Sequence, residues 1–309
     1  MKTVFSILCV SFLLTAQAQS EYIDSFITME SVKHTVSALS HDSMKGRFTA
    51  MPESEKAAQF IAGRFEKAGL LPVSGNKGYF SYYPIRYEEA NESTLVQGIN
   101  VMAVIPGNFS PDTMVIFCAH FDHLRVKQNT KGNQDSIYNG ANDNASGVAV
   151  LIELARYYKA TQNNRYTLLF IAFSGEELGL LGSKYVASDI DQSFIKTVIN
   201  FDMLGRPIDG SPKKCMVITD RNDGIIQKLN NELKNKKRFF IDDLFPLSQL
   251  FSRSDHYSFT HVKNRIFFTS GSDFDLYYHS LKDEHKTIDF DFLLNVIHNI
   301  ASCCKIFIN

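Results

Sequence analysis

The chain has 309 residues, 32 Lys+Arg against 33 Asp+Glu, and 44% apolar residues. A balance this even, with no basic stripe and no acidic block, speaks against a nucleic-acid binder. The length allows one large domain, a size that α/β folds reach routinely.

The opening "MKTVFSILCVSFLLTAQAQS" joins a basic Lys2, an apolar core from Val4 to Leu14, and "AQA" ending at Ala18. That order predicts a secretory signal over 1–18, cleaved after Ala18 and too short to remain as a membrane span. Leu8 stands where a lipoprotein signal wants a small residue before Cys9, so lipid attachment is not expected. No later run reads as long and apolar enough to cross a bilayer. The mature chain, 19–309, is expected to be exported to the periplasm or the exterior, without a membrane anchor, as a monomer.

A helical leader is expected over about 25–75, because "ESEKAAQFIAGRFEKAGLLP" places Ala58, Ile61, Phe65 and Leu70 at helical spacing. Gly69 and Pro72 supply its stop signals. A polar, aromatic-rich stretch follows without an assignment. Then come the strands "INVMAVIPG" and "TMVIFCAHFDH", and a Gly/Asn-rich loop running into the helix of "GANDNASGVAVLIELARYYK". The strand "YTLLFIAF", a helix through "ELGLLGSKYVAS" and the strands "TVINFDMLG" and "CMVITD" come next. The chain closes with the helix "DGIIQKLNNELKN", the strand "NRIFFTSG" and the helix "FDFLLNVIHNIASCCKIF". Strands alternating with helices predict one α/β domain with a central mixed, mostly parallel sheet covered on both faces.

Four cysteines follow the signal, Cys118, Cys215, Cys303 and Cys304. Export permits disulfides. Cys118 falls in a buried strand and reads as a small apolar residue. The adjacent Cys303 and Cys304 are poorly placed to bridge each other, and a link from either to Cys215 stays open. There is no CxxC spacing for a metal.

Histidines and acids gather at the ends of these elements. "AHFDH", "GEE" and "NFDMLG" end strands, "GANDN" opens a helix, and "YYHSLKD" follows the last strand. In an open α/β sheet the carboxyl ends of parallel strands share one edge, where ligand sites form. His120, Asp122, Asp143, Glu176, Glu177, Asp202 and His279 can therefore converge. Each has a plain reading on its own: "DN" as an N-cap, "EE" as a solvated helix start, a lone His as a surface residue. Jointly they make an N/O donor set that fits zinc rather than a thiolate site. Two Zn²⁺, three carboxylates and a hydroxide would sum to zero charge. His120 and Asp122, two apart on an extended strand, face the same side, so Asp122 can orient the imidazole.

"AHFDH", "NGANDNASGVAVLIELAR", "LLFIAFSGEELGLLGSKYV", "INFDMLGR" and "YYHSLKDEHKTID" together resemble the co-catalytic zinc aminopeptidases of the bacterial leucyl aminopeptidase and aminopeptidase Y type. "SHDSMKGRFTAMPESEKAAQFIAGRFEKAGLLP" is similar to the leader of that family's secreted bacterial members. The likeness runs from Ser40 to Asp289, with no inserted protease-associated domain. It implies a zinc-exopeptidase fold of the phosphorylase/hydrolase-like kind and an enzyme that removes the N-terminal residue from peptides with a free amine. It also implies two zinc ions: His120 and Asp202 on one, Glu177 and His279 on the other, Asp143 bridging. Glu176 matches the general base acting on the water between the ions, and Asp122 the carboxylate that orients His120. Tyr278 matches a tyrosine that stabilises the oxyanion in some members. A cis peptide at Asp143–Asn144 is implied too. Arg253, Ser254, Asp255 and His256 match a loop near the active site, with substrate contact expected of Arg253, Asp255 and His256. The alternatives are a single-zinc glutaminyl cyclase, a carboxypeptidase or dipeptidase on the same scaffold, and a binding protein that has lost the site. The last usually shows replaced ligands, and none is replaced here.

Overall fold

Apolar runs that lack polar alternation form the middle of the sheet, as strands buried on both faces must. The structure, a computed structural model, describes residues 22–89, 92–127, 135–207, 213–221, 223–233 and 238–309. The expected signal segment lies outside the described residues. Nine strands form one sheet among them: β1 (Leu71–Pro72), β2 (Phe80–Glu89), β3 (Glu92–Ile105), β4 (Ser110–His120), β5 (Tyr166–Phe173), β6 (Ile195–Asp202), β7 (Cys215–Thr219), β8 (Phe240–Ile241) and β9 (Arg265–Thr269). Their order is β1-β3-β5-β4-β6-β9-β7-β8, with β2 also paired to β3. The central strands β5, β4, β6 and β9 run parallel. Antiparallel pairs lie toward both sides, at β3 with β1, β2 and β5 and at β7 with β9.

β2 is the unassigned aromatic stretch. Pro84 removes a ladder donor, which only an edge strand tolerates. β2 pairs with β3 alone, Pro84 standing opposite Gln97.

The two faces of the sheet divide the strand residues alternately. Val115, Phe117 and Ala119 of β4 join one core, while Ile116 and Cys118 join the other. The first core is covered by α1 (Met29–Leu39), α2 (Pro52–Lys67), α3 (Gly147–Thr161) and α6 (Phe290–Cys303). The second is covered by α4 (Leu181–Asp189), with Phe259 and Val262 beside it. A short helix α5 (Ile225–Asn231) flanks the β7 side, and α7 (Lys305–Ile308) ends the chain. The helix expected to begin at Glu177 starts at Leu181, because backbone bonds from Gly179 and Leu180 to the Glu176 carbonyl close a turn first.

One expectation changes, and one open question closes. The helical stretch Phe290–Ile308, of mean hydropathy 1.3, is long and apolar enough to cross a membrane by length and composition. Phe292, Leu293, Val296, Ile297 and Ile300 are nonetheless packed in the core. The four cysteines are all free and buried, so no link from Cys215 to Cys303 or Cys304 forms.

Candidate metal centre

Strand ends deliver the donors to one edge. β4 ends on His120 and β6 on Asp202. After β5, Gly175 takes φ +75°, and a side chain there would strike the Tyr83 hydroxyl at 2.7 Å. Glycine is therefore required, and the reversal it allows turns Glu176 and Glu177 back toward β4. Asp143 sits in the wide turn Ala141–Ser146 that precedes α3. Its neighbour Asn144 takes the capping task instead, accepting from Gly147 N at 2.9 Å. The peptide between Asp143 and Asn144 is cis. The backbone amides of Asn142 and Asp143 both donate to Asp283, at 3.0 Å each. Arg206 in turn holds Asp283 at 3.1 Å.

Two donor groups result, each with ligand atoms within 4.8 Å of one another: His120, Glu176 and Asp202 in one, His123, Asp143, Glu177 and His279 in the other. Asp143 faces both. Its Oδ1 lies 3.4 Å from His120 Nε2, and its Oδ2 lies 3.3 Å from His279 Nε2. Asp202 Oδ1 is 3.3 Å from His120 Nε2, while Ser254 donates to Oδ2 at 2.8 Å. Glu177 meets His279 at 3.1 Å through Oε2 and His123 at 2.8 Å through Oε1.

His123 was not singled out from sequence. It lies past the last residue of β4, so strand alternation says nothing of its direction, although a second histidine in "HFDH" was itself a signal.

Asp122 stands beside His120 as an ion-pair partner. Its carboxylate is 3.8 Å from His120 Nδ1, beyond hydrogen-bond reach. The nearer partner of Nδ1 is the Asp122 backbone carbonyl at 3.2 Å. The carboxylate accepts instead from Thr49 Oγ1 at 2.9 Å and Glu176 N at 3.2 Å. Its place is thus between the β4 and β5 ends.

The remaining residues separate. Tyr278 and Arg253 line the cavity over the donors, with Arg253 paired to Asp273 at 3.0 Å. Tyr278 stacks on His279, centroids 3.8 Å apart. Asp255 and His256, expected to touch substrate, are fully buried and do not line that cavity. His256 stacks on Phe267 with Phe251 at its edge, so its ring serves packing. Burial drives its pKa down to about 3. Burial likewise lifts Asp255 to about 7, with His120 opposing. A larger groove bordered by Thr219, Ile226 and Asn230 holds no comparable donor group among the described residues.

The electrostatics favour positive charge among these carboxylates. Burial alone would lower the pKa of His120, yet Asp202, Glu176 and Asp143 raise it well above the ordinary value. Burial also lowers that of His279, but the hydrogen bonds it donates to Asp143 and Glu177 carry it up to about 10. The imidazoles thus hold protons where the carboxylates call for positive charge. Burial would raise Glu177, but bonds from His123 and His279 hold it well below the carboxylate range. Burial raises Glu176 well above that range, His120 opposing. Clustered imidazole and carboxylate donors without a thiolate fit zinc.

Several known proteins share this arrangement of chain. A probable leucine aminopeptidase of Trichophyton verrucosum is 32% identical over 187 residues, 57% of this chain and 44% of that protein. The stretches matched span 21% to 54% of the length of such curated relatives. Among solved structures, the aminopeptidase from Aneurinibacillus sp. strain AM-1 superposes with a TM-score of 0.69 at 17% identity, covering 92% of this chain and 95% of that one. Porphyromonas gingivalis glutaminyl cyclase gives 0.68 at 16%, covering 89% and 97%. Both likenesses concern the fold. Residues 100–304 match the model of Peptidase family M28, a span that holds both donor groups and most of the sheet, and the chain belongs to that family.

Proposed function

We propose that the protein is an exported aminopeptidase that uses two zinc ions to hydrolyse the bond after the N-terminal residue of a peptide. The observation that carries this reading is Asp143, whose two oxygens face His120 and His279 separately. A carboxylate shared in this way suits two cations. His120 and Asp202 would hold one, Glu177 and His279 the other, with Asp143 common to both. When bound, such ions lower the pKa of a water and polarise the scissile carbonyl.

The protein's own groups supply the rest. Glu176, its carboxyl raised above the ordinary range by burial with His120 opposing, takes a proton from the attacking water and delivers it to the leaving amine. Burial and the nearby carboxylates of Asp143 and Glu177 keep the Tyr278 phenol protonated. Its hydroxyl is then a donor for the developing oxyanion. The carboxylates at the centre attract the free α-amine of the substrate, which confines cleavage to the N-terminal residue. Met203, Leu250 and Phe267 wall the cavity and favour an apolar side chain, in keeping with the name of the Trichophyton relative. Export rests on the 1–18 segment.

A glutaminyl cyclase is the second reading, favoured by the fold shared with the Porphyromonas protein. The test is a panel of leucyl-anilide, an N-acetylated peptide and an N-terminal glutamine peptide, with and without chelator. The anilide should be cleaved, chelator should abolish this, and zinc should restore it. Cleavage of only the blocked peptide would sink the aminopeptidase reading, and ammonia release from the glutamine peptide would replace it with the cyclase.

A further inference from the structure

The leader lies upstream of the family match at 100–304, yet it enters the centre. Between Asp42 and Ala50 the chain makes a tight turn in which Lys45, Gly46, Arg47 and Ala50 all have positive φ. Gly46 presses its backbone on two loops: a side chain there would meet the Leu124 carbonyl at 2.1 Å and the Tyr138 carbonyl at 2.9 Å. The first loop follows His120, and the second precedes Asp143.

Two side chains of the turn bind those loops. Arg47 is wholly buried, and its guanidinium donates to the carbonyls of Phe121, Leu39 and Asn139 at 2.6 Å and of Gly140 at 3.1 Å. Phe121 stands between His120 and Asp122, and Gly140 is three residues before Asp143. A buried guanidinium held only by carbonyls is costly. The fields of Asp143 and Asp122 oppose that cost. Thr49 is also buried. Its hydroxyl donates to Asp122 Oδ2 at 2.9 Å and accepts from Gly175 N at 2.8 Å, while Asp122 Oδ1 accepts from Glu176 N at 3.2 Å. One hydroxyl thus links the leader, the end of β4 and the residue before Glu176.

We propose that this turn is a working part of the metal centre, with Thr49 and Arg47 as positioning residues that set Glu176 and Asp143 relative to His120. The inference rests on the zinc-peptidase reading above. Thr49 acts through Asp122 and the backbone of Gly175 and Glu176, and Arg47 fixes the separation of the two donor-bearing loops.

Thr49→Val tests it, because it keeps the shape and removes the hydroxyl. Steady-state kinetics on leucyl-anilide should show kcat down by about 10–100-fold with KM little changed. Chelator-stripped protein titrated with Co²⁺ alone should show an altered visible absorption spectrum. Thr49→Ser, which restores the hydroxyl, should restore both readouts. Thr49→Ala is read the same way if T49V does not fold. A T49V protein with wild-type kcat and spectrum overturns the proposal, even if its metal-free form melts lower, since that outcome leaves only a structural role. Wild-type protein that takes up no Co²⁺ overturns the zinc-peptidase reading and this inference with it. Uptake by wild type with T49V unchanged overturns the leader's role alone.

Discussion

The two halves of the centre are built on different foundations. His120 and Asp202 are the last residues of parallel neighbours in the sheet, so the ladder itself fixes their separation. His123, Asp143, Glu177 and His279 sit beyond the strands, in turns and loops. His279 has φ +49° and a side chain one third exposed. The loop-borne half needs props, and it has them in Asp283 beneath Asp143, Arg206 beneath Asp283, and His123 against Glu177. Precision comes from the ladder for His120 and Asp202 and from hydrogen bonds for the donors beyond the strands, Glu176 of the first group among them.

The largest expected effect ignores that division. Glu176→Gln should lower kcat by about 10²–10⁴-fold while both groups keep their metal, read by kinetics alongside elemental analysis. A variant within tenfold of wild type would remove Glu176 as the base. His123→Ala should separate the halves, weakening zinc in the loop-borne group by about 10–100-fold and leaving the other unchanged. Competition with a graded chelator series reads the two affinities, and an equal loss at both would break the contrast.

A pH titration asks whether the halves also differ electrostatically. Without metal, the carboxylates of Asp143 and Glu177 raise His279 to about 10 against its burial, so at pH 7 it carries a proton that zinc must displace, and Asp202, Glu176 and Asp143 push His120 in the same direction. Glu177 is held low and already ionised. Zinc affinity should therefore weaken as pH falls and strengthen as it rises, in both halves, by about tenfold per unit for each displaced proton. Calorimetry in two buffers of different ionisation heat counts those protons, and buffer-independent heats at pH 7 would contradict the assignment. The smallest effect lies outside both halves. Asp289 caps α6 by accepting from Phe292 N at 3.0 Å, so Asp289→Ala should cost about 1 kcal/mol of stability with zinc affinity unchanged. Thermal unfolding checks it.

The ladder-borne half was also the legible half. "TMVIFCAH" and "TVINFD" are mainly apolar runs ending in a donor, the second interrupted by Asn200, and the strand-end rule for α/β sheets places such residues together. The two glutamates after "YTLLFIAF" were legible for the same reason. What escaped depends on contacts distant in sequence or on backbone reversals. Thr49 meets Asp122 across 73 positions, a contact that the spacing of His120 and Asp122 does not reveal. His123 lies where the strand has already ended. β2 was hidden by Pro84, which argues against a strand unless the edge position is known. His256 is expected to touch substrate through its match to a loop near the family's active site, while its neighbours Phe251 and Phe267 make its site a packing one.

The buried, unpaired cysteines bear on the durability of the molecule. Neither donor group contains sulfur, and Cys118, Cys215, Cys303 and Cys304 are sealed in the core. Peroxide attacks accessible thiolates first, and here neither the centre nor the described surface offers one. Activity should survive oxidants and alkylating reagents that silence thiol enzymes, a tolerance that follows from building the chemistry out of imidazole and carboxylate alone.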